Sequence, residues 1–215
     1  MGTVKKRCVI ISASPTANTD FILSQIRKDD FIICADGGAD KLLGTGVVPD
    51  MIIGDLDSSK KYSEFKDTEI VELNTMKDDT DTLHCAAVAM NKGYKDFLIL
   101  GATGGRLDHT LGNLSVLLFL SKYGAKGAVA DEYSHTSLLS LGLNEVKGVK
   151  GKIVSVMPFA CESATLTYLG LRYAMDRGTV TADFPYTISN EAICDRVSIT
   201  LHSGTALLII SDEKY

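Results

Sequence analysis

The chain contains 215 residues, of which 45% are hydrophobic and 23% are charged, and its formal net charge is −5 at pH 7. This length accommodates one large domain or two small ones with a substantial core, and the acidic balance argues against an extended nucleic-acid surface. No apolar run approaches the roughly 20 residues of a membrane span, and the one after the basic N-terminus is too short for the core of a signal peptide.

The five cysteines are scattered along the chain without a CxxC pair. Neither the cysteines nor the histidines show the spacing of zinc ligands. We therefore expect free thiols in a reducing compartment and a cytoplasmic protein that binds neither nucleic acid nor a membrane.

Residues 8–131 alternate between strand and helix signals. Mostly apolar runs predict strands at residues 8–13, 31–35, 51–53, 69–73 and 97–100. Capping and stop signals predict helices over residues 19–28, from 81 or 82 to 93, and over about 108–123. Continuous apolar strands between helices imply a mostly parallel sheet covered on both faces, and we expect a Rossmann-like α/β domain over residues 1–131.

Two finer expectations accompany these helices. Asn18 or Thr19 is expected to cap the first helix. The last helix is expected to face inward with its leucines, namely Leu111, Leu114, Leu117 and Leu118.

Beyond residue 130 the helical signals fade, and short alternating runs predict strands at residues 136–141, 152–157, 164–169, 196–201 and 206–210. Residues 202–205, with Gly204 among them, are expected to form a hairpin turn that joins the last two strands. The pattern predicts an all-β sandwich domain over residues 132–215.

Acidic residues follow the predicted strands of the first domain. Asp55 and Asp57 lie two residues apart, so in an extended segment both carboxylates point to the same side and suit a shared cation, although an Asx turn is the alternative. Asp78, Asp79 and Asp81 precede a helix, and one of them is expected to cap it. In an open α/β sheet, ligands bind at the carboxyl ends of the strands.

Two glycine-rich turns also follow strands. Asp36, Gly37 and Gly38 permit close approach to a phosphate or sugar, and the alternative is a plain turn capped by the aspartate. Residues 101–109 run from a strand through glycines into a helix, where free N–H groups and Arg106 favour an anion. Asp108 can bind a metal or orient the helix. His109 can contact a ligand, and the alternative is a helix-capping or core-edge histidine.

Together these clusters predict a Mg²⁺-dependent enzyme that acts on a phosphorylated ligand. Mg²⁺ prefers hard oxygen ligands and usually works with one or two carboxylates and substrate phosphates. Nucleophilic Ser/His/Asp catalysis is not indicated, since the chain contains no GxSxG elbow.

The ordered set of motifs resembles the thiamine pyrophosphokinase family over nearly the whole chain. The motifs that carry the resemblance are Ala35-Asp36-Gly37-Gly38-Ala39, Gly54-Asp55-Leu56-Asp57-Ser58, Lys77-Asp78-Asp79-Thr80-Asp81, Gly105-Arg106-Leu107-Asp108-His109, Gly170-Leu171-Arg172-Tyr173 and Ile188-Ser189-Asn190-Glu191. The resemblance implies an α/β domain followed by a β-sandwich, a homodimer with active sites built from both subunits, and transfer of diphosphate from ATP to thiamine with release of AMP.

The resemblance also implies residue roles. Mg²⁺ and the diphosphate would be held by Asp55, Asp57 and Asp81, which with Arg106 form the expected catalytic set. The nucleotide would contact Asp36, Gly37, Gly38, Thr103, Gly104, Arg106, Asp108 and His109. Thiamine would contact Ser189, Asn190, Lys77, Asp79 and Tyr173, with Lys77 and Asp79 reaching the site of the other subunit.

Two other functions are compatible with parts of the pattern. A pyrophosphokinase for another alcohol, such as a pterin, would keep the α/β site and change the second domain. A non-catalytic sensor of Mg-nucleotide or thiamine would keep the binding residues, but the full set of Asp55, Asp57, Asp81 and Arg106 argues against it.

Overall fold

The computed structural model of the chain describes residues 7–55, 62–73 and 80–212. The fold divides into two compact units, residues 1–132 and residues 133–215. We refer to the first as the α/β unit and to the second as the β unit.

The α/β unit is built on a parallel sheet. Each strand pairs in parallel with its neighbours, which gives the spatial order β4-β3-β2-β1-β5-β6. The central strand β1 is fully buried along its whole length, whereas the edge strand β4 is largely exposed. The strands are β1 (Cys8–Ile11), β2 (Phe31–Ala35), β3 (Met51–Gly54), β4 (Glu69–Glu72), β5 (Asp96–Leu100) and β6 (Lys126–Ala130).

Helices α1 (Thr19–Gln25), α2 (Asp81–Asn91) and α3 (Leu107–Lys122) connect these strands. Asn18 caps α1, as expected, because its side chain accepts a hydrogen bond from the Phe21 N–H. Two 3₁₀ segments, Asp36–Leu42 and Tyr62–Glu64, complete the unit. The prediction of a mostly parallel α/β sheet is confirmed.

The inward face predicted for α3 was partly wrong. Leu117 is buried, but Leu111 is 50% exposed, and the buried face consists of Asn113, Val116, Leu117 and Leu120. This helix is apolar on more than one face, so leucine spacing alone does not identify the side that packs on the sheet.

The strand order contains a topological switch point between β1 and β5. After β1 the chain moves through α1 to β2, and after β5 it moves through α3 to β6 on the opposite side. The loops that leave the carboxyl ends of β1 and β5 therefore diverge. In open parallel sheets a crevice for ligands forms where this happens.

The β unit contains only antiparallel pairs among its described strands. One sheet has the order β12-β9-β14-β7 and the other has the order β11-β10-β13-β8. Residues of both sheets share one core cluster, which includes Val156, Leu166, Ile199 and Leu208. The strands are β7 (Ser134–Leu138), β8 (Gly142–Lys147), β9 (Ile153–Pro158), β10 (Ser163–Leu169), β11 (Met175–Thr181), β12 (Asn190–Glu191), β13 (Arg196–Ser203) and β14 (Ala206–Ser211).

The hairpin expected at residues 202–205 was wrong. Strands β13 and β14 belong to different sheets, since β13 pairs with β8 and β10 while β14 pairs with β7 and β9. Gly204 has a φ of +84°, and a Cβ there would lie 2.3 Å from the Ser163 carbonyl oxygen. The glycine therefore serves a tight corner that carries the chain from one sheet to the other.

All five cysteines are free thiols. Cys8, Cys34 and Cys85 are buried, and burial raises the pKa of the Cys8 and Cys34 thiols well above the usual value. No described helix has both the length and the apolar character needed to cross a membrane.

A buried ion pair closes the connection between α1 and β2. The Asp30 carboxylate, whose side chain is 1% exposed, accepts hydrogen bonds from Arg7 Nε at 3.0 Å and Nη2 at 2.6 Å. It also accepts one from the Arg27 backbone N–H. The carboxylate thus joins the chain before β1 to the turn before β2.

We expect Asp30→Ala to lower the free energy of unfolding by about 3 kcal/mol or more, because it leaves the Arg7 charge partly buried without its partner. The matched control is Lys126→Ala, which breaks an exposed pair with Asp96 at 3.8 Å, and its effect should stay below about 1 kcal/mol. Urea denaturation measures both. Equal effects of the two changes would contradict this assignment.

Candidate active site

A cavity of about 660 Å³ opens at the carboxyl edge of the parallel sheet, in the α/β unit. The turns after β1, β2 and β5 contribute to its wall, together with the first turns of α2 and α3. Its location therefore coincides with the switch point between β1 and β5. The lining residues are Ser12, Ala13, Ser14, Pro15, Ala35, Asp36, Thr80, Asp81, Thr82, Gly101, Ala102, Gly104, Gly105, Arg106, His109 and Asn113.

The turns after β1 and β5 are joined backbone to backbone. The Ser12 N–H donates to the Leu100 carbonyl at 2.8 Å, and the Ser14 N–H donates to the Gly101 carbonyl at 3.0 Å. Gly101 has a φ of +61°, and a Cβ at this residue would lie 2.5 Å from the Ser12 carbonyl oxygen. Only glycine fits this contact without a shift of the backbone.

Asp36 follows β2 and lines the cavity in an unusual backbone conformation. Its φ is +43°, a left-handed value that a residue with a side chain rarely adopts. It is the first residue of the 3₁₀ segment and its neighbour Ala35 is the N-cap, so the alternative in which Asp36 caps a helix is not supported. Its Oδ1 accepts a hydrogen bond of 2.9 Å from the Tyr62 hydroxyl.

The start of α2 brings Asp81 to the cavity. The capping prediction for the aspartates was wrong, because the N-cap is Thr80, whose hydroxyl accepts from the Leu83 N–H at 3.3 Å. Asp81 therefore lies in the first turn of α2, where it forms part of the cavity wall. On the same wall, the buried hydroxyls of Ser12 and Thr82 share a hydrogen bond of 2.8 Å that ties α2 to the end of β1.

The start of α3 presents a charged pair. Arg106 is the N-cap residue, and its Nε and Nη2 donate to the Asp108 carboxylate at 3.1 and 2.6 Å. Asp108 also accepts from the His109 backbone N–H. The hydrogen bond from Arg106 lowers the pKa of Asp108 to about 2, so this carboxylate is charged at neutral pH. Both side chains are mostly exposed, at 73% and 64%.

The structure brings five of the predicted site residues to the cavity wall: Asp36, Asp81, Gly104, Arg106 and His109. Thr103 does not line the cavity, and its hydroxyl donates to Asp131 at 2.6 Å. Gly37, Gly38, Asp55 and Asp108 lie nearby without lining it, and Asp57, Lys77 and Asp79 lie outside the described residues.

Sequence reasoning missed five polar residues of the wall, Ser12, Ser14, Thr80, Thr82 and Asn113. Ser12 and Ser14 directly follow the buried strand β1, so the same rule that selected the aspartates would have found them. Asn113 gave no such signal, because its buried amide faces inward from α3 and donates to the Ala102 carbonyl at 2.8 Å.

Carboxylates at this edge suit a hard cation. Within residues 7–55, 62–73 and 80–212, no three His, Cys, Asp or Glu side chains form a group able to hold a metal on their own. Mg²⁺ usually needs only one or two carboxylates, with phosphates and water completing its shell. Asp81 lies on the wall of the cavity. Asp55 follows Gly54, where a Cβ would lie 2.8 Å from Asp36 Cα, so the chain at Asp55 runs close to another residue of that wall.

A second cluster of predicted site residues lies in the β unit. The segments around Tyr173 and Asn190 are paired, because Leu171 and Ala192 form an antiparallel bridge and the Arg172 N–H donates to the Glu191 carbonyl. The buried Asn190 side chain accepts from the Tyr173 N–H at 3.0 Å and donates to the Tyr173 carbonyl at 2.8 Å. Asn190 therefore shapes this loop pair.

Two exposed residues flank Asn190 in this cluster. The Tyr173 side chain is 69% exposed. Ser189 is exposed with a φ of 60°, and its N–H donates to Ser155 Oγ at 2.9 Å. Both side chains are available for contact with a ligand.

Comparison with known proteins identifies both halves of the chain. Residues 23–126 match the catalytic domain of thiamin pyrophosphokinase, and residues 141–206 match its vitamin B1 binding domain. The two matches together cover well over half of the 215 residues.

Individual relatives agree with the domain matches. The chain is 28% identical over 186 residues to the thiamine pyrophosphokinase of Bacillus subtilis, covering 84% of this chain and 87% of the relative. It is 28% identical over 204 residues to thiamine pyrophosphokinase 1 of Oryza sativa, covering 82% and 76%. The crystal structure of the Bacillus subtilis protein superposes with a TM-score of 0.86 at 26% identity, covering 97% of this chain and 100% of that one.

We expect Gly101→Ala to destabilise the α/β unit more than a left-handed backbone alone explains. The control is Gly46→Ala, where φ is +80° but a Cβ meets nothing within 4 Å. The control should cost about 1–2 kcal/mol, whereas the clash with Ser12 should add at least about 1 kcal/mol more. Denaturant unfolding distinguishes them, and equal losses would show that the turn after β5 moves freely away from Ser12.

Proposed function

We propose that this chain, which belongs to the thiamin pyrophosphokinase family, transfers the terminal diphosphate of ATP to the hydroxyl group of thiamine. The products are thiamine diphosphate and AMP. The observation that carries this proposal is the match of a catalytic domain and a vitamin B1 binding domain on one chain, in the order of its two units. The match to a vitamin B1 domain favours thiamine over another alcohol.

We regard the α/β unit as Rossmann-like, and we propose that ATP binds in its cavity. The N-terminus of α3 and its glycine turn supply N–H groups for the phosphates. Arg106 would exchange its two hydrogen bonds to the Asp108 carboxylate for two to a phosphate, because guanidinium binds carboxylates and phosphates in the same bidentate geometry. Further nucleotide contacts are proposed for Asp36, Gly37, Gly38, Thr103, Gly104, Asp108 and His109.

The acidic residues are proposed to hold Mg²⁺ through Asp55, Asp57 and Asp81. When bound there, the cation would neutralise charge on the phosphate oxygens. The position of Asp81 in the first turn of α2, fixed by the Thr80 cap and the Ser12–Thr82 contact, supports its part in this set.

The reaction is a substitution at the β-phosphorus of ATP. The thiamine hydroxyl oxygen forms the new bond to that phosphorus, the bond to the α-phosphate oxygen breaks, AMP leaves, and the hydroxyl proton passes to water or a carboxylate. Such transfers depend mainly on alignment and on stabilisation of charge. Arg106 and the N–H groups of the turn after β5 would meet the charge that grows in the transition state.

Thiamine is proposed to bind the β unit, which we describe as a sandwich, through Ser189, Asn190 and Tyr173. The exposed Tyr173 ring would stack on the cationic thiazolium, while Asn190 holds the backbone on which that ring sits. Lys77 and Asp79 are proposed to reach the site of a second subunit. From the likeness to the thiamin pyrophosphokinase family we also propose a homodimer with shared active sites. We propose a cytoplasmic location as well.

The proposal is tested by measuring AMP release from ATP and Mg²⁺ with and without thiamine. We expect thiamine-dependent AMP, and a fall of roughly 100-fold or more in kcat for Asp55→Ala, as for other groups that stabilise transition-state charge. The control is Asp67→Ala, which removes an exposed carboxylate of the turn before β4 and should leave the rate unchanged. A folded protein that binds nucleotide but releases no AMP with thiamine would contradict the proposed reaction.

A further inference from the structure

Tyr62 presents a polar atom from an apolar setting. It opens the 3₁₀ segment Tyr62–Glu64, is only 7% exposed, and belongs to the core cluster that also contains Leu42 and Ile52. Its ring is therefore fixed by close packing, which restricts the directions in which the hydroxyl can point.

The hydroxyl of Tyr62 donates to Asp36 Oδ1 at 2.9 Å, across 26 residues of sequence. Burial raises the pKa of Tyr62 above its usual value, and the hydrogen bond to Asp36 and the charges of Asp36, Asp40 and Asp55 raise it further. The hydroxyl therefore keeps its proton, and remains a donor, throughout the physiological pH range.

Asp36 is constrained by its backbone as well. Its left-handed φ of +43° is sterically unfavourable, and such strain persists only where the surroundings enforce it. Asp36 packs directly against the backbone of Gly54 at the end of β3, an approach that only glycine permits, because a Cβ there would lie 2.8 Å from both Cα and Cβ of Asp36. The remaining freedom is rotation of the carboxylate, and the Tyr62 hydroxyl restricts it.

We propose that Tyr62 is a positioning residue of the nucleotide site, because its hydroxyl holds the Asp36 carboxylate in the orientation that the bound nucleotide meets in the cavity. This inference rests on the proposed function, in which Asp36 contacts ATP. The Tyr62 hydroxyl acts through Asp36 and does not itself touch the reacting atoms.

The direct test is the affinity of Tyr62→Phe for a fluorescent ATP analogue, mant-ATP, titrated with Mg²⁺ and without thiamine. The substitution keeps the packed ring and removes only the donor. We expect roughly 10-fold weaker binding, the effect of losing one hydrogen bond to a charged group. In turnover, KM for ATP should rise by a similar factor while KM for thiamine stays within about twofold.

Tyr94→Phe is the matched control. The Tyr94 ring stacks on Phe31 with centroids 4.7 Å apart, and Phe31 begins β2 whereas Asp36 follows its end. The control therefore also removes a tyrosine hydroxyl, but at the edge of the sheet opposite the cavity. It should not change the affinity for mant-ATP. Thermal melting of both variants verifies that the fold is retained.

Asp36→Ala completes a double-mutant cycle. If Tyr62 acts through Asp36, adding Tyr62→Phe to Asp36→Ala weakens mant-ATP binding by no more than about 1.5-fold. Unchanged affinity in Tyr62→Phe, an equal loss in Tyr94→Phe, or full additivity in the double variant would each overturn the inference.

The two proposals fail in different ways. A wild-type protein that binds mant-ATP through the Tyr62–Asp36 pair but does not turn over thiamine would overturn the reaction and leave the positioning role intact. If the protein turns over thiamine but Tyr62→Phe leaves its affinity for mant-ATP unchanged, the positioning role is overturned and the reaction stands. A wild-type protein that binds no Mg-nucleotide would overturn both.

Discussion

The close packing of the turn after β1 against the turn after β5 is the constraint on which the candidate site depends. Two backbone hydrogen bonds join these turns, and Gly101 allows a separation that any side chain would prevent. Gly38 applies the same principle after β2, since a Cβ there would lie 2.1 Å from the Ile11 carbonyl oxygen. The strands of a parallel sheet end along one edge, and these contacts draw their turns together into a cavity.

Around these turns, several side chains of the proposed site are each held by a neighbouring residue. The Thr80 cap places Asp81 in the first turn of α2. The Tyr62 hydroxyl donates a hydrogen bond to the Asp36 carboxylate. In the β unit, the Asn190 side chain binds both the N–H and the carbonyl group of Tyr173. The proposed substrate contacts thus depend on supporting residues, as precise positioning of a reactive group requires.

The parallel sheet and its helices were predictable because burial on both faces makes strands such as Cys8–Ile11 continuously apolar. The strands missed in the β unit have the opposite character. Gly142–Lys147 is mostly exposed and Met175–Thr181 fully buries only Val180, so neither run shows a clear apolar alternation in the sequence. Gly204 was recognised as a turn residue, but sequence alone does not tell a hairpin from a corner between two sheets.

In the candidate site, too, some residues were predictable from the sequence and others were not. Asp36, Asp81 and Arg106 were predictable because a polar or charged residue directly after a buried strand, or at the start of a helix, stands out. The Tyr62–Asp36 and Ser12–Thr82 contacts were not, because they join residues 26 and 70 positions apart and depend on how the elements pack. Local pattern identifies groups that meet a ligand, whereas supporting contacts become visible only in three dimensions.

The central claim, that the cavity at the switch point directs transfer of a diphosphate to thiamine, is tested most directly by the fate of the β-phosphorus of ATP. The measurement incubates the protein with Mg²⁺, thiamine and ATP that carries a radioactive label at the β-phosphorus, and separates the products. The account predicts that the label appears in thiamine diphosphate and that the AMP formed is unlabelled. Label recovered in ADP, with thiamine carrying a single phosphate, would contradict it.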